Sequence, residues 1–207
     1  MPAEGFDLLT VCTGNICRSP MAERMAAAEL ARGLPPEQGA RFRVHSAGTH
    51  GLDGWEVNPP AGARLAALGI GYDDFRARRL AESMVAEADL VLAATREHRS
   101  AAITLVPRAA ARTFTLREFD RLVRLVDVAD LPTGDPVERA RALVAAAARQ
   151  RGMVWVPPEE DDIADPYGRA DAHFDACARE IADALRAPLQ VICDPGFRPE
   201  RPAEETT

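Results

Sequence analysis

Apolar positions along this chain arrive in short runs separated by longer amphipathic stretches. Residues 6–11 (FDLLTV) and 42–47 (FRVHSA) are runs of strand length, as are the apolar residues from Leu90 in DLVLAAT and from Ala111 in ARTFTL. Between them the spacing turns helical. MAERMAAAELARG follows Pro20, which suits a first helical position, and AGARLAALGI, AESMVAEA and REHRSAAITLV carry the same pattern. Strands alternating with helices predict an α/β fold built on a parallel sheet. Farther on, DPVERARALVAAAARQRG predicts a long helix with Asp135 as its cap, Pro136 in its first turn and Gly152 as its stop. The loop MVWVPPEEDDI follows, and its acidic run is expected to be solvated. In GRADAHFDACAREIADALR, Phe174, Cys177, Ile181 and Leu185 share one stripe, so Cys177 is expected to be a packing residue. Residues 194–207 read as a disordered tail. The expectation is one domain over residues 1–193, with no internal repeat.

Composition narrows the function classes. A chain of 207 residues with 47% hydrophobic content can bury a single core. Its net charge of −7 argues against a general nucleic-acid binder, though a local cationic site is compatible with it. The start, MPAEGF, lacks a basic segment followed by an apolar one, which argues against secretion, and no apolar run approaches a membrane span. The four cysteines, Cys12, Cys17, Cys177 and Cys193, show neither C-x-x-C spacing nor a nearby histidine pair, so no metal site is expected. They fit free thiols in a reducing compartment, and the expected location is the cytoplasm. Oligomeric state is left open.

The chemistry concentrates in LLTVCTGNICRSPMAER, residues 8–24. A loop from a strand's end to a helix N-terminus aims backbone N–H groups and the helix dipole at one place, which favours an anion. Gly14 allows close approach, Asn15 tolerates a left-handed backbone, and Arg18 offers a planar fork to two phosphate oxygens. Thr13, Ile16 and Cys17 complete the cradle. The donors that hold an anion also favour a thiolate at Cys12, which makes it a nucleophile toward a phosphate monoester. The loop lacks the G-K-[S/T] ending of a nucleotide-binding loop. Such chemistry also needs an acid for the leaving group and a base for water. Asp165 in DIADPYGR is the candidate, held extended by Pro166 with Tyr167 beside it.

Val11 to Pro20 match V-C-x-G-N-x-C-R-S-P at every fixed position, and Asp165 to Tyr167 match a late D-P-Y/F motif. The chain therefore resembles the low-molecular-weight protein-tyrosine phosphatases, over Phe6 to about Arg112 and Ile163 to about Arg186. The resemblance implies a single three-layer domain with a four-stranded parallel sheet flanked by helices, no cofactor, and a phosphotyrosine-bearing protein as substrate. It makes Cys12 the nucleophile, Arg18 the phosphate clamp, and Asp165 the general acid and then base. Asn15 and Ser19 would shape the loop, with Ser46 supporting Asn15. Cys17 matches a cysteine that traps an oxidised Cys12 as a disulfide. Trp55 and Tyr167 would face each other across the cleft. Phe75 stands where many members have histidine, Gly168 where some have a second aromatic, and residues 127–162 read as an extended helical insertion.

Three other readings share the loop. An arsenate reductase needs further relay cysteines, and LAESMVAEADLVLAAT contains none. A protein-arginine phosphatase has threonine at the position of Ile16, whose apolar side chain suits an aryl ester better than a guanidinium. A non-catalytic phosphate-binding module would lack the nucleophile or the acid, and both are present.

Overall fold

The computed structural model describes residues 4–201. Four parallel strands, β1 (Phe6–Cys12), β2 (Phe42–Gly48), β3 (Leu90–Ala93) and β4 (Thr113–Thr115), lie in the order β2-β1-β3-β4. β1 is central: Cys12 pairs with Gly48 on one side, and Val11 with Ala93 on the other. Both faces are covered, so β1, β3 and β4 are buried along nearly their whole length. The helices are α1 (Arg18–Gly33), a single turn α2 (Pro36–Gly39), α3 (Pro59–Ala67), α4 (Glu82–Glu87), α5 (Arg96–Leu105), α6 (Leu116–Val123), α7 (Pro136–Arg149) and α8 (Asp171–Cys193). The larger core lies under α1, α3, α6, α7 and α8, with Met21, Phe114, Phe119, Leu143 and Ile181 fully enclosed. A smaller one, around Leu9, Val91 and Ala102, lies under α4 and α5.

α6 follows directly on β4, where the sequence pattern predicts only the strand ARTFTL. Thr115 ends β4 and caps α6: its hydroxyl accepts the Glu118 N–H at 3.0 Å, and the Glu118 carboxylate accepts the Thr115 N–H at 3.1 Å. This reciprocal pair stops the strand after three residues. The apolar stripe of Leu116, Phe119, Leu122 and Val123 then turns into the core.

The helix with Asp135 as cap forms as α7, the Asp135 carboxylate accepting the Val137 N–H at 2.8 Å. Val137, Ala140, Leu143 and Ala147 are all core residues, so α7 is built into the fold. Arg139 is 1% exposed, with Nε donating to the Val191 carbonyl. α8 runs to Cys193, past the expected end at Arg186 and through Pro188. Burial of Leu185, Leu189 and Ile192 offsets the backbone hydrogen bond that proline removes. Cys177 is buried in the core. Beyond α8, Phe197 packs on the core and the Glu200 carbonyl accepts from Arg124, so the disorder expected from residue 194 does not hold there. Residues 202–207 of the expected tail lie outside the described residues.

Candidate active site

The loop between β1 and α1 occupies the carboxyl edge of the sheet, at its central strand. Asn15 has φ of 57°, the one non-glycine in the left-handed region among the described residues. Its side chain makes that conformation worthwhile. Oδ1 accepts the Arg78 N–H at 2.9 Å, which leaves both Nδ2 hydrogens to donate, to Ser19 Oγ and Ser46 Oγ at 2.8 Å each. Because Ser19 Oγ accepts from Asn15, its one hydrogen can go to Cys12 Sγ at 3.0 Å or to the Ala47 carbonyl at 3.4 Å. A Cys12 thiolate, which can only accept, would take it. Ser46 in turn donates to Glu23 at 2.6 Å. A buried polar chain thus runs from the Cys12 sulfur to the Glu23 carboxyl. The backbone N–H groups of residues 13–17 meet no protein acceptor among the described residues, which leaves a row of donors at the amino end of α1.

Gly48 is the close-packing point beneath this loop. A Cβ there would lie 2.4 Å from the Thr13 carbonyl oxygen and 2.9 Å from the Asn15 nitrogen, so any side chain would push the loop outward.

Arg18 is 4% exposed. It donates to the Ile163 carbonyl at 3.2 Å, to Thr13 Oγ1 at 3.2 Å and to the Asp165 carboxylate at 2.5 Å. Asp165 is half-exposed and also accepts the Tyr167 N–H at 3.1 Å, a turn that fixes the carboxylate over the cleft. Cys12, Thr13, Gly14, Ile16, Cys17, Arg18, Asp165 and Tyr167 line one cavity of about 240 Å³. His50 and Leu52 line it as well; neither was singled out in the sequence, though both follow β2 in the turn facing the loop. Trp55 is exposed and is not among the lining residues, so the expected pair of facing aromatics is represented at the cavity by Tyr167 alone.

Two supports were not legible in the motif. Glu23 lies four residues after Ser19 on α1, one turn deeper, where burial raises its pKa against the opposing Ser46 hydrogen bond. Phe75 is buried against the core, 5.8 Å from the Arg24 guanidinium, and offers no hydrogen bond; Glu23 and Arg78 terminate the network instead. On the other side, His98 bonds Thr13 Oγ1 at 2.9 Å and Thr95 Oγ1 at 2.7 Å. Burial, and secondarily the Arg18 charge, push its pKa down to about 4, so it is a neutral imidazole at pH 7. Burial pushes the Cys17 thiol up to about 12.

The acidic run before Asp165 corrects an expectation. Asp161 is not solvated: it is 1% exposed and takes Arg121 on Oδ1 and Arg96 on Oδ2, each at 2.5 Å. The adjacent Asp162 accepts the Arg96 N–H at 2.7 Å, and the Ile163 N–H reaches the Ala94 carbonyl at the end of β3. The segment carrying Asp165 is therefore pinned to the sheet edge and to α5 and α6.

A cysteine held by a hydroxyl, a row of backbone donors and a buried arginine facing a carboxylate together define a phosphate-handling site with its own nucleophile. The sequence profile described as "Low molecular weight phosphotyrosine protein phosphatase" matches residues 7–151, and the chain belongs to that family. It is 33% identical over 153 residues to the probable low molecular weight protein-tyrosine-phosphatase EpsP of Ralstonia nicotianae, covering 72% of this chain and 93% of that one. It is 42% identical over 131 residues to low molecular weight protein-tyrosine phosphatase A of Mycobacterium tuberculosis, covering 60% and 75%. The protein-arginine-phosphatase of Bacillus subtilis is 34% identical over 114 residues, covering 55% and 72%. Among solved structures, the low molecular weight protein tyrosine phosphatase from T. tengcongensis superposes with a TM-score of 0.61 at 27% identity, over 88% of this chain and 97% of that one.

Proposed function

We propose that this phosphatase hydrolyses phosphotyrosine in proteins through a phosphocysteine at Cys12. The observation that carries the reading is the meeting of three groups in one cavity: the Cys12 sulfur with Ser19 Oγ at 3.0 Å, the buried Arg18 fork and the Asp165 carboxyl. A bound phosphate takes the Arg18 fork in place of Asp165, which frees that carboxyl to carry a proton. The Cys12 thiolate attacks phosphorus and the ester P–O bond breaks, with the leaving oxygen taking the Asp165 proton. Water then attacks the phosphocysteine, giving its proton to Asp165 and returning the thiolate. The backbone donors of residues 13–17 and Arg18 stabilise the equatorial oxygens in both steps.

An aryl ester is favoured because the cavity wall is apolar where the ester group must leave: Ile16, Leu52 and the Tyr167 ring. The name of the Bacillus subtilis relative keeps phosphoarginine as the reading to beat. Hydrolysis of p-nitrophenyl phosphate and a phosphotyrosine peptide, with little turnover of phosphoarginine and no arsenate reduction, is the expected outcome. Preference for phosphoarginine overturns the substrate assignment.

Cys17 lines the same cavity and is the resolving thiol for an oxidised Cys12 in this reading. Peptide mapping after peroxide should show a Cys12–Cys17 bond and leave Cys177 reduced. The cytoplasm is the proposed location; no helix among the described residues is long and apolar enough to cross a membrane, and the four cysteines are free.

A further inference from the structure

A second concavity, of about 370 Å³, opens between α5, α6 and the loop after α7. Four arginines line it, Arg96, Arg99, Arg121 and Arg151, against two carboxylates, Glu118 and Asp161. Each carboxylate is buried and already holds two guanidiniums: Arg96 and Arg121 on Asp161, Arg99 and Arg151 on Glu118. Two positive charges are thus left over in a hollow of a protein whose net charge is −7.

The remaining donors identify which arginines have capacity for a ligand. Arg151 is fully committed, its other nitrogens donating to the Ala110 and Thr113 carbonyls while its guanidinium lies 4.1 Å from the Phe114 ring centre. Arg99 uses only one terminal nitrogen, on Glu118 at 2.7 Å. Arg121 uses one terminal nitrogen on Asp161, and its buried Nε has no hydrogen-bond partner. The terminal nitrogens that Arg99 and Arg121 do not spend on a carboxylate are the donors an oxyanion in the hollow would take. At the rim stands Trp155, 83% exposed, the most exposed large hydrophobic side chain among the described residues. An indole in that position is a stacking face for a ring attached to the anion.

We propose that this hollow is a second anion site, separate from the catalytic cleft, which binds a phosphate group through Arg99 and Arg121. With Trp155 at its mouth, the ligand class is a phosphate carried on a planar aromatic group. Inorganic phosphate presents the same oxygens without the ring, so the probes must separate the two sources.

The chain has two tryptophans, so Trp55→Phe leaves Trp155 as the sole indole reporter. Adding Arg18→Ala removes the catalytic clamp and turnover together. In this background, phenyl phosphate and inorganic phosphate are titrated at constant ionic strength while Trp155 emission is read. A saturable change is expected, with its half-saturation point raised about tenfold or more by Arg99→Gln. Arg99→Gln leaves Glu118 paired with Arg151 and so spares the fold; its unfolding midpoint should match the parent. Tighter binding of phenyl phosphate supports the aromatic ligand. Equal or tighter binding of inorganic phosphate keeps the site but overturns its assignment to an aromatic phosphate. No saturable change, or an Arg99→Gln variant that binds as well as its parent, overturns the site itself.

Discussion

The Cys12 loop and the Asp165 segment meet at one cavity, yet they are held there by different means. The loop's inner bonds are local: Cys12, Asn15 and Ser19 lie within seven positions of each other and bond directly. Such a network writes itself into a short motif, because each residue type is required by a neighbour a few positions away. The Asp165 segment depends on partners far along the chain. Asp161 is held by Arg96 and Arg121, Ile163 by Arg18 and Ala94, and Asp165 itself by Arg18. Its motif is only three residues long because the positioning is done elsewhere. The nucleophile rests on bonds within its own loop, with Ser46, Arg78 and His98 as outer supports. The acid is placed by distant partners alone, apart from its turn at Tyr167.

The largest effect should come from the local half. Cys12→Ser is expected to lower turnover by on the order of 10⁴-fold or more, as for other enzymes stripped of a nucleophile. Phosphate or vanadate binding should persist, because backbone donors and Arg18 remain. A variant keeping a tenth of wild-type turnover would remove Cys12 from the mechanism.

Asp165→Asn tests the other half directly, with an expected loss of roughly 10²–10⁴-fold in hydrolysis. The loss should shrink for esters whose leaving group needs little protonation. Equal losses for good and poor leaving groups would mean that the proton comes from another residue.

Asp161→Asn asks whether the fold places the acid. Asn keeps one oxygen to accept from one arginine but loses the charge and turns an NH2 toward the other, a loss of roughly 1–3 kcal/mol. Turnover should fall more for poor leaving groups than for good ones, as with a displaced acid, although residue 161 does not line the catalytic cavity. Burial alone would raise the Asp161 pKa, but the hydrogen bonds from Arg121 and Arg96 outweigh it and hold it below the ordinary carboxylate range. The folded value being depressed, the stabilisation is present above the unfolded value of about 3.9 and is lost as pH falls through the folded value. Acid unfolding of the wild type should show this loss, and the variant should lack it. Normal leaving-group dependence in a folded variant would show that the clamp does not position Asp165.

The same contrast explains what the sequence could convey. Strands expected from Phe6, Phe42, Leu90 and Ala111, and the helix capped by Asp135, rest on periodicity and neighbouring caps, and each is found. The fourth strand starts two residues later, at Thr113, because Ala111 and Arg112 close a short 3-10 helix. α6 also had a local signal, the Thr115–Glu118 capping box, hidden because Thr115 is at once the last strand residue and the cap. No local pattern announces that Asp161 is buried, since its partners lie 65 and 40 positions away. In PEEDD the only visible property is charge, and charge predicts solvent. Pro188 misleads for a related reason: proline is a local stop signal, and the core contacts of α8 override it. Gly48 required knowledge that the Thr13 carbonyl passes within 2.4 Å of where its Cβ would be.

The smallest effect should come from the far end of the local network, at Glu23. Its carboxyl accepts from Ser46 but is buried, and burial raises its pKa despite that bond and the nearby Arg24 and Arg78. The folded protein therefore keeps a proton on Glu23 to a higher pH than the unfolded chain does. The sign of the linkage follows: its contribution is fully present below the unfolded value of about 4.3 and is lost as pH rises through the raised folded value. Glu23→Gln preserves an oxygen that accepts from Ser46 and removes the charge, so the loop should stay in place and turnover should remain within a few-fold of wild type. Unfolding midpoints followed from pH 4 to pH 8 should show the wild type losing ground to the variant, by no more than about 1 kcal/mol. A variant that instead loses stability at neutral pH would mean that Glu23 is an ionised, well-paired carboxylate. The network behind Cys12 would then end in a fixed negative charge.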